Sequence, residues 1–283
     1  GISMDVYIDM AIILLWLDCF GSGCPAYPRQ SNHKRIIAMS MYTSIEIPNL
    51  SQQLRCPKGS QGRELGRTMY DSNRNMIWTT ISALRMGKKN RVLEIGPGSG
   101  QHISGILSTG PLVRYFGLDI SETMVGEAQN INKEFIDARR AIFERYDGVN
   151  VPFVNSFFDR ILSVNTIYFW ESPERFLGEL YRVLKPGGVL AITFVDASTM
   201  RDLPFVDGSF ELFDIPRMTK LISSSQFMDF DIQTKTDQVK GKDDRTVDRE
   251  YLVVSLKKKK RVLMENRDHI KKGRLKKMGC HGG

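Results

Sequence analysis

Between residues 91 and 107 the chain reads RVLEIGPGSGQHISGIL: a five-residue apolar run, then Gly96, Gly98 and Gly100 at alternate positions, then a second apolar stretch. A short apolar run bounded by glycines reads as a buried strand, and the stretch after it as the start of a helix. Glycines at such a junction allow a sharp turn and let a ligand lie against backbone, while the helix start offers free N–H groups to an anionic group. A strand that turns straight into a helix feeds a crossover to another parallel strand, so the junction predicts an α/β fold.

The rest of the chain repeats that alternation. Residues 69–84 place Met69, Met76, Ile77, Thr80, Ile81 and Leu84 at helical spacing, and Gly87 closes them. Residues 113–120, 141–146, 160–164 and 189–195 read as further strands. Ser121 is a candidate N-cap for a helix with Met124, Val125, Ala128 and Ile131 on one face. Ser172-Pro173 opens a helix that carries Phe176, Leu177, Leu180, Val183 and Leu184 and stops at Pro186-Gly187-Gly188. Two later β-like stretches, 230–236 and 250–256, flank the polar segment KGKDDRTVD, which suits a hairpin-like return.

A glycine turn alone also suits dinucleotide-binding folds, whose usual spacing is G-x-G-x-x-G. Two acids narrow the choice. Glu94, two residues before Gly96, would face an amino group rather than a pyrophosphate; its bland alternative is an internal salt bridge that satisfies a costly buried charge. Asp119 ends the second strand, nineteen residues past Gly100, where it can accept both ribose hydroxyls or serve as a plain turn residue.

In these features, and in the ordered motifs LEIGPGSG, FGLDIS, FDRILSVNTIYFW and LYRVLKPGG, residues 52–258 resemble the class I S-adenosylmethionine-dependent methyltransferases. The likeness is greatest to the small-molecule group that includes the ubiquinone/menaquinone-biosynthesis type. The resemblance implies a Rossmann-like sheet of seven strands in the order 3-2-1-4-5-7-6, mostly parallel with the last strand antiparallel, and helices on both faces. It implies S-adenosyl-L-methionine as cofactor. Glu94, Gly96, Gly98 and Gly100 would surround its methionine part, Asp119 would hold the ribose, and Met124 would lie beside the adenine unless it is plain helix core. Asp147 stands where relatives carry an acid near the adenine amino group, although ERYDGVNVPF departs from the usual G-D-A pattern. Asn165 and Thr166 would line the methyl-donor pocket.

An activated sulfonium donor needs alignment more than acid–base help, so no catalytic triad is expected. His102 and Tyr168 are the candidates for a catalytic role. Tyr168, Phe169 and Trp170 could wall the acceptor or simply pack on the following helix. Residues 56–75 could form a mobile lid with Tyr70, Asn73 and Asn75 reaching the reactants, or an ordinary capped surface turn. Asn165-Thr166-Ile167-Tyr168 lacks both prolines of the Asn/Asp-Pro-Pro-Tyr/Phe motif found in methyltransferases that act on adenine or glutamine amines, which disfavours such acceptors. The expected acceptor is a small molecule.

The formal charge of +8 belongs to one end of the chain. Residues 257–283 hold eleven basic side chains against two acidic ones, which leaves residues 1–256 one unit negative. A uniformly basic nucleic-acid-binding globule is therefore disfavoured. Residues 259–283 read as a disordered basic tail. It carries the alternative function, a catalytically silent module that binds nucleic acid or an anionic membrane. Residues 1–50 read as a flexible or non-native extension, with the functional domain beginning near Met41, or else as a surface helix packed on it. The apolar run 6–20 is too short to span a bilayer and contains Asp9 and Asp18. Cys19, Cys24, Cys56 and Cys280 are scattered, without zinc or disulfide spacing, so no metal and a cytoplasmic setting are expected.

Overall fold

The computed structural model describes residues 49–203, 205–240 and 246–260. Nearly all of the expected extension and tail, 1–48 and 261–283, lies outside the described residues. In chain order come α1 (Leu50–Arg55), α2 (Gly59–Ala83), β1 (Arg91–Ile95), α3 (Ile103–Ser108), β2 (Arg114–Asp119), α4 (Glu122–Ile131), α5 (Lys133–Asp137), β3 (Ala141–Arg145) and β4 (Phe158–Val164). After a 3-10 turn at Ile167–Phe169 follow α6 (Pro173–Val183), β5 (Leu184–Val195), α7 (Ala197–Met200), α8 (Ile215–Ser223), β6 (Asp229–Lys240) and β7 (Thr246–Lys257).

The seven strands form one sheet in the order β3-β2-β1-β4-β5-β7-β6, as the resemblance implied. Five strands run parallel, β7 pairs antiparallel with β5, and β6 returns antiparallel to β7 along the sheet edge. Strand alternation divides the core in two. Leu93, Ile95, Phe116, Leu118, Ile161, Leu190 and Ile192 face the α6 and α8 layer; Val92, Tyr115, Leu162 and Ala191 face the opposite layer, where α2, α3 and α4 pack. Glu94 shares the face of Val92 and therefore points toward α2 and α3.

Two expectations about elements need correction. Residues 59–75 are neither lid nor surface turn: they form the first two turns and the middle of α2. Ile131 is exposed at the end of α4 rather than buried with Met124 and Ala128. The Ser121 cap is present, its Oγ accepting from Met124 N at 3.1 Å.

Candidate active site

The parallel order reverses beside β1: β2 and β3 lie on one side, β4 and β5 on the other. At such a switch point, loops leaving the carboxyl ends of the strands diverge and open a crevice. Most of the residues singled out after strands meet there. Gly96, Gly98 and Gly100 adopt φ of +70°, +57° and +64°, conformations that cost L-residues about 1–2 kcal/mol. A Cβ on Gly96 would stand 2.5 Å from Thr166 Cγ2, so this glycine is required by the approach of the β4 loop. A Cβ on Gly98 would meet nothing within 4 Å, because its backbone faces open space.

That space is a cavity of about 220 Å³ lined by Glu94, the glycine loop, His102, Asp119, Met124, Asp147 and Asn165, with Tyr70 and Asn73 from α2. Every proposed cofactor residue borders it except Gly100, which sits behind, against Asn132 and Phe143. Asp119 is 7% exposed. It accepts from Ser121 N at 2.9 Å and Gly98 N at 3.3 Å. Burial pushes its carboxyl up to about 6, against the opposing pull of those backbone donors.

Glu94 is satisfied from inside the protein. His102 Nε2 lies 2.7 Å from Oε2, and the Tyr115 hydroxyl donates to the same oxygen at 2.5 Å. Its burial alone therefore does not require a cationic ligand. His102 is 1% exposed, stacks 6.2 Å from Tyr70, and its Nδ1 has no partner among the described residues. Asp147 spends its carboxylate on its own turn: Val149 N, Asn150 N and Asn150 Nδ2 all donate to it, and these bonds hold its carboxyl below the usual range. Met124 is 1% exposed, and its thioether would be 2.7 Å from a Cβ on Gly66 of α2.

A second cavity of about 530 Å³ adjoins the first, under α7 and the β6–β7 hairpin. Leu54, Met69, Asn73, Asn165 and Phe169 line both cavities. Asn165 sits in the left-handed region at φ +56°, a conformation asparagine tolerates better than most residues. Its amide is fully engaged. Nδ2 donates to Asn73 Oδ1 at 3.0 Å, and Oδ1 accepts from the Tyr168 hydroxyl at 3.0 Å and Val195 N at 3.3 Å.

The expected aromatic wall divides. Phe169 faces both cavities and Tyr168 the second, whereas Trp170 borders the first, packs edge-on against Phe176 at 4.8 Å and donates to Thr166 Oγ1. Asn75 is exposed and borders neither cavity. Sequence reasoning missed Arg249, which it left unassigned between the polar segment 240–248 and the 250–256 stretch. Arg249 lies in β7 and forms a two-pronged ion pair with Asp237 of β6, at 3.0 and 2.7 Å. It also donates to Asn73 Oδ1 and Ser72 O. Its signal is an arginine just ahead of an apolar strand, twelve residues from an aspartate across a hairpin.

A sheet of this order, with a glycine loop after β1 and an acid after β2, defines the class I methyltransferase fold, and residues 93–192, from β1 into β5, match the family profile described as "Methyltransferase domain". Residues 93–192 thus match a methyltransferase domain within a sheet of the class I methyltransferase order, a class whose cofactor is S-adenosylmethionine. It is similar to the uncharacterized methyltransferase YdaC of Bacillus subtilis, 29% identical over 60% of this chain and 89% of that protein. It is also similar to the demethylmenaquinone methyltransferase of Tropheryma whipplei, 34% identical over 47% of this chain and 53% of that one. In fold it resembles phosphoethanolamine N-methyltransferase 2 of Haemonchus contortus, solved with S-adenosyl-L-methionine, with a TM-score of 0.58 at 16% identity over 76% of this chain and 60% of that one.

Proposed function

We propose that the protein transfers a methyl group from S-adenosylmethionine in the first cavity to a small molecule in the second. The observation that carries this reading is the wall the two cavities share, built by α1, α2 and the segment after β4, because methyl transfer needs donor and acceptor side by side. The residues present fit the donor: open backbone at Gly98, a buried carboxylate at Asp119, and a braced acid at Glu94. In this reading Asp119 accepts from the two ribose hydroxyls, Glu94 meets the amino group of the methionine part, and Met124 packs on the adenine. Gly96 and Gly98 let backbone approach the ligand, and Gly100 lets the loop close over Asn132 and Phe143. Asp147 flanks the adenine edge, although its bonds within its own turn make it a weak contributor.

When bound, the sulfonium supplies an activated methyl group and departs as a neutral thioether. The protein's part is then to align the reactants and exclude water. Asn165, held by Asn73, Tyr168 and the Val195 amide, keeps the boundary between the cavities in one geometry. Tyr168 acts here by bracing Asn165, and His102 by bracing Glu94. Methyl transfer from radiolabelled donor into cell extract, fractionated by solubility and by nuclease sensitivity, tests the reading. Label in a nuclease-resistant, low-molecular-weight fraction is expected; label confined to nuclease-sensitive material would contradict the small-molecule acceptor.

A further inference from the structure

The second cavity has a lining that selects among acceptors, an inference that rests on the methyltransferase reading. We propose that it takes a molecule with an apolar, ring-sized body that carries a hydroxyl group and no negative charge, and that Asn73 is the residue that recognises the hydroxyl.

Its body is set by the walls. Phe169, Phe210 and Phe205 follow one another around it, with ring centroids 4.8 and 6.1 Å apart, and Met200, Leu203 and Val239 complete an apolar surface. A volume of about 530 Å³ lies in the range of roughly 300–1,000 Å³ that holds drug-sized ligands.

Charge excludes anions. Arg249 is the only basic side chain among the described lining residues, and its charge is already paired: four of the five guanidinium N–H groups are engaged within the protein. It is 4% exposed, forms a two-pronged pair with Asp237, and donates once to Asn73 and once to Ser72. The other charged lining side chains, Asp202, Asp248 and Glu250, are acids at the exposed rim. A phosphate or carboxylate entering here would meet repulsion and find no cation to pair with.

The hydroxyl follows from the orientation of one amide. Two donors, Arg249 Nη1 at 3.1 Å and Asn165 Nδ2 at 3.0 Å, converge on Asn73 Oδ1. They fix which way the amide points. Asn73 Nδ2 is left without a partner among the described residues, on a side chain that borders both cavities. An amide NH2 with its N–H donors open beside the boundary between the cavities suits an oxygen acceptor, such as that of a hydroxyl group, which can accept from Asn73 while keeping its own proton.

The test is equilibrium binding of four probes to the protein saturated with S-adenosylhomocysteine: naphthalene, 2-naphthol, naphthalene-2-carboxylate and 2-naphthyl phosphate. We expect 2-naphthol to bind about tenfold more tightly than either anion and about three- to tenfold more tightly than naphthalene. In Asn73→Leu the preference for 2-naphthol over naphthalene should vanish while naphthalene still binds. A wild-type far-UV circular dichroism spectrum and cooperative thermal unfolding show that the variant is folded. An anion that binds as well as 2-naphthol, no binding of 2-naphthol, or a preference that survives Asn73→Leu would overturn the proposal. Failure of S-adenosylhomocysteine itself to bind the wild-type protein would instead defeat the methyltransferase reading.

Discussion

Two glycines in one loop make separable demands. Gly96 faces Thr166 and Gly98 faces open space. Gly96→Ala should therefore cost about 2–4 kcal/mol, left-handed strain plus a clash. Gly98→Ala should cost only about 1–2 kcal/mol while filling the space assigned to the donor; urea unfolding beside donor titration separates the two effects. Asp119 makes a pH prediction. Its folded carboxyl titrates near 6 against 3.8 unfolded, so the fold disfavours the ionised form: the stability it contributes is complete below 3.8 and lost as pH rises through about 6. Asp119→Asn should raise the stability of the ligand-free protein at neutral pH by about 1–2 kcal/mol. Donor binding runs the other way, since the carboxylate is the better acceptor for ribose hydroxyls. Affinity should rise from about pH 5 and level off above about 6.5; calorimetry across that range in two buffers checks it through the proton released. Asp119 and the glycines were legible because turn geometry and strand ends leave marks at fixed spacings. The bracing of Glu94 by His102 and Tyr115 was not, since Tyr115 comes from the neighbouring strand at a distance no local pattern encodes.

Among the elements, the start of α2 was misread for a physical reason. Gly59, Gly62 and Gly66 look like loop residues on propensity, yet a Cβ on Gly62 would stand 2.7 Å from Pro57 C, and one on Gly66 2.7 Å from Met124 Sδ. Close packing of α2 on its neighbours selects glycine there, and tertiary contact overrides the intrinsic preference. Gly66→Ala should consequently hold or gain helix stability, by up to about 1 kcal/mol, while pushing the flexible Met124 thioether into the first cavity. Thermal unfolding unchanged or raised, together with weakened donor binding, is the expected pair of results. The β6–β7 hairpin supplies the opposite case. Its strands were visible from the apolar 250–256 run, but the buried pair Asp237 and Arg249, with side chains 7% and 5% exposed, lies beyond both predicted ends. Arg249→Met should destabilise by about 3–5 kcal/mol because it strands the Asp237 carboxylate, and adding Asp237→Leu should recover much of that loss. Chemical denaturation of the two variants measures it.

For the molecule as a whole, strand order proved a good guide. The first residues of the basic run sit in the domain, within the expected boundary at 258: Lys258 Nζ donates to Tyr181 O and Leu184 O at the carboxyl end of α6, where a cation offsets unpaired carbonyls and the helix dipole. Lys258 also pairs by backbone with Gly187 and Gly188, so the Pro-Gly-Gly segment, which lies in β5 rather than at the end of α6, is anchored beside the end of β7. Sheet order and the glycine loop were readable because ordered motifs mark them. The second cavity was not, since its wall gathers residues from α2, the β4 loop, the segment after β5 and the hairpin, none at a spacing that signals the others. The central claim is that the cavity at the β1–β4 switch point holds S-adenosylmethionine. Isothermal titration of the folded protein with S-adenosylmethionine tests it most directly. Saturable one-to-one binding is predicted, weakened about ten- to a hundredfold by Asp119→Ala as two charge-assisted hydrogen bonds are lost; a folded protein that shows no binding, or binding indifferent to Asp119→Ala, would contradict it.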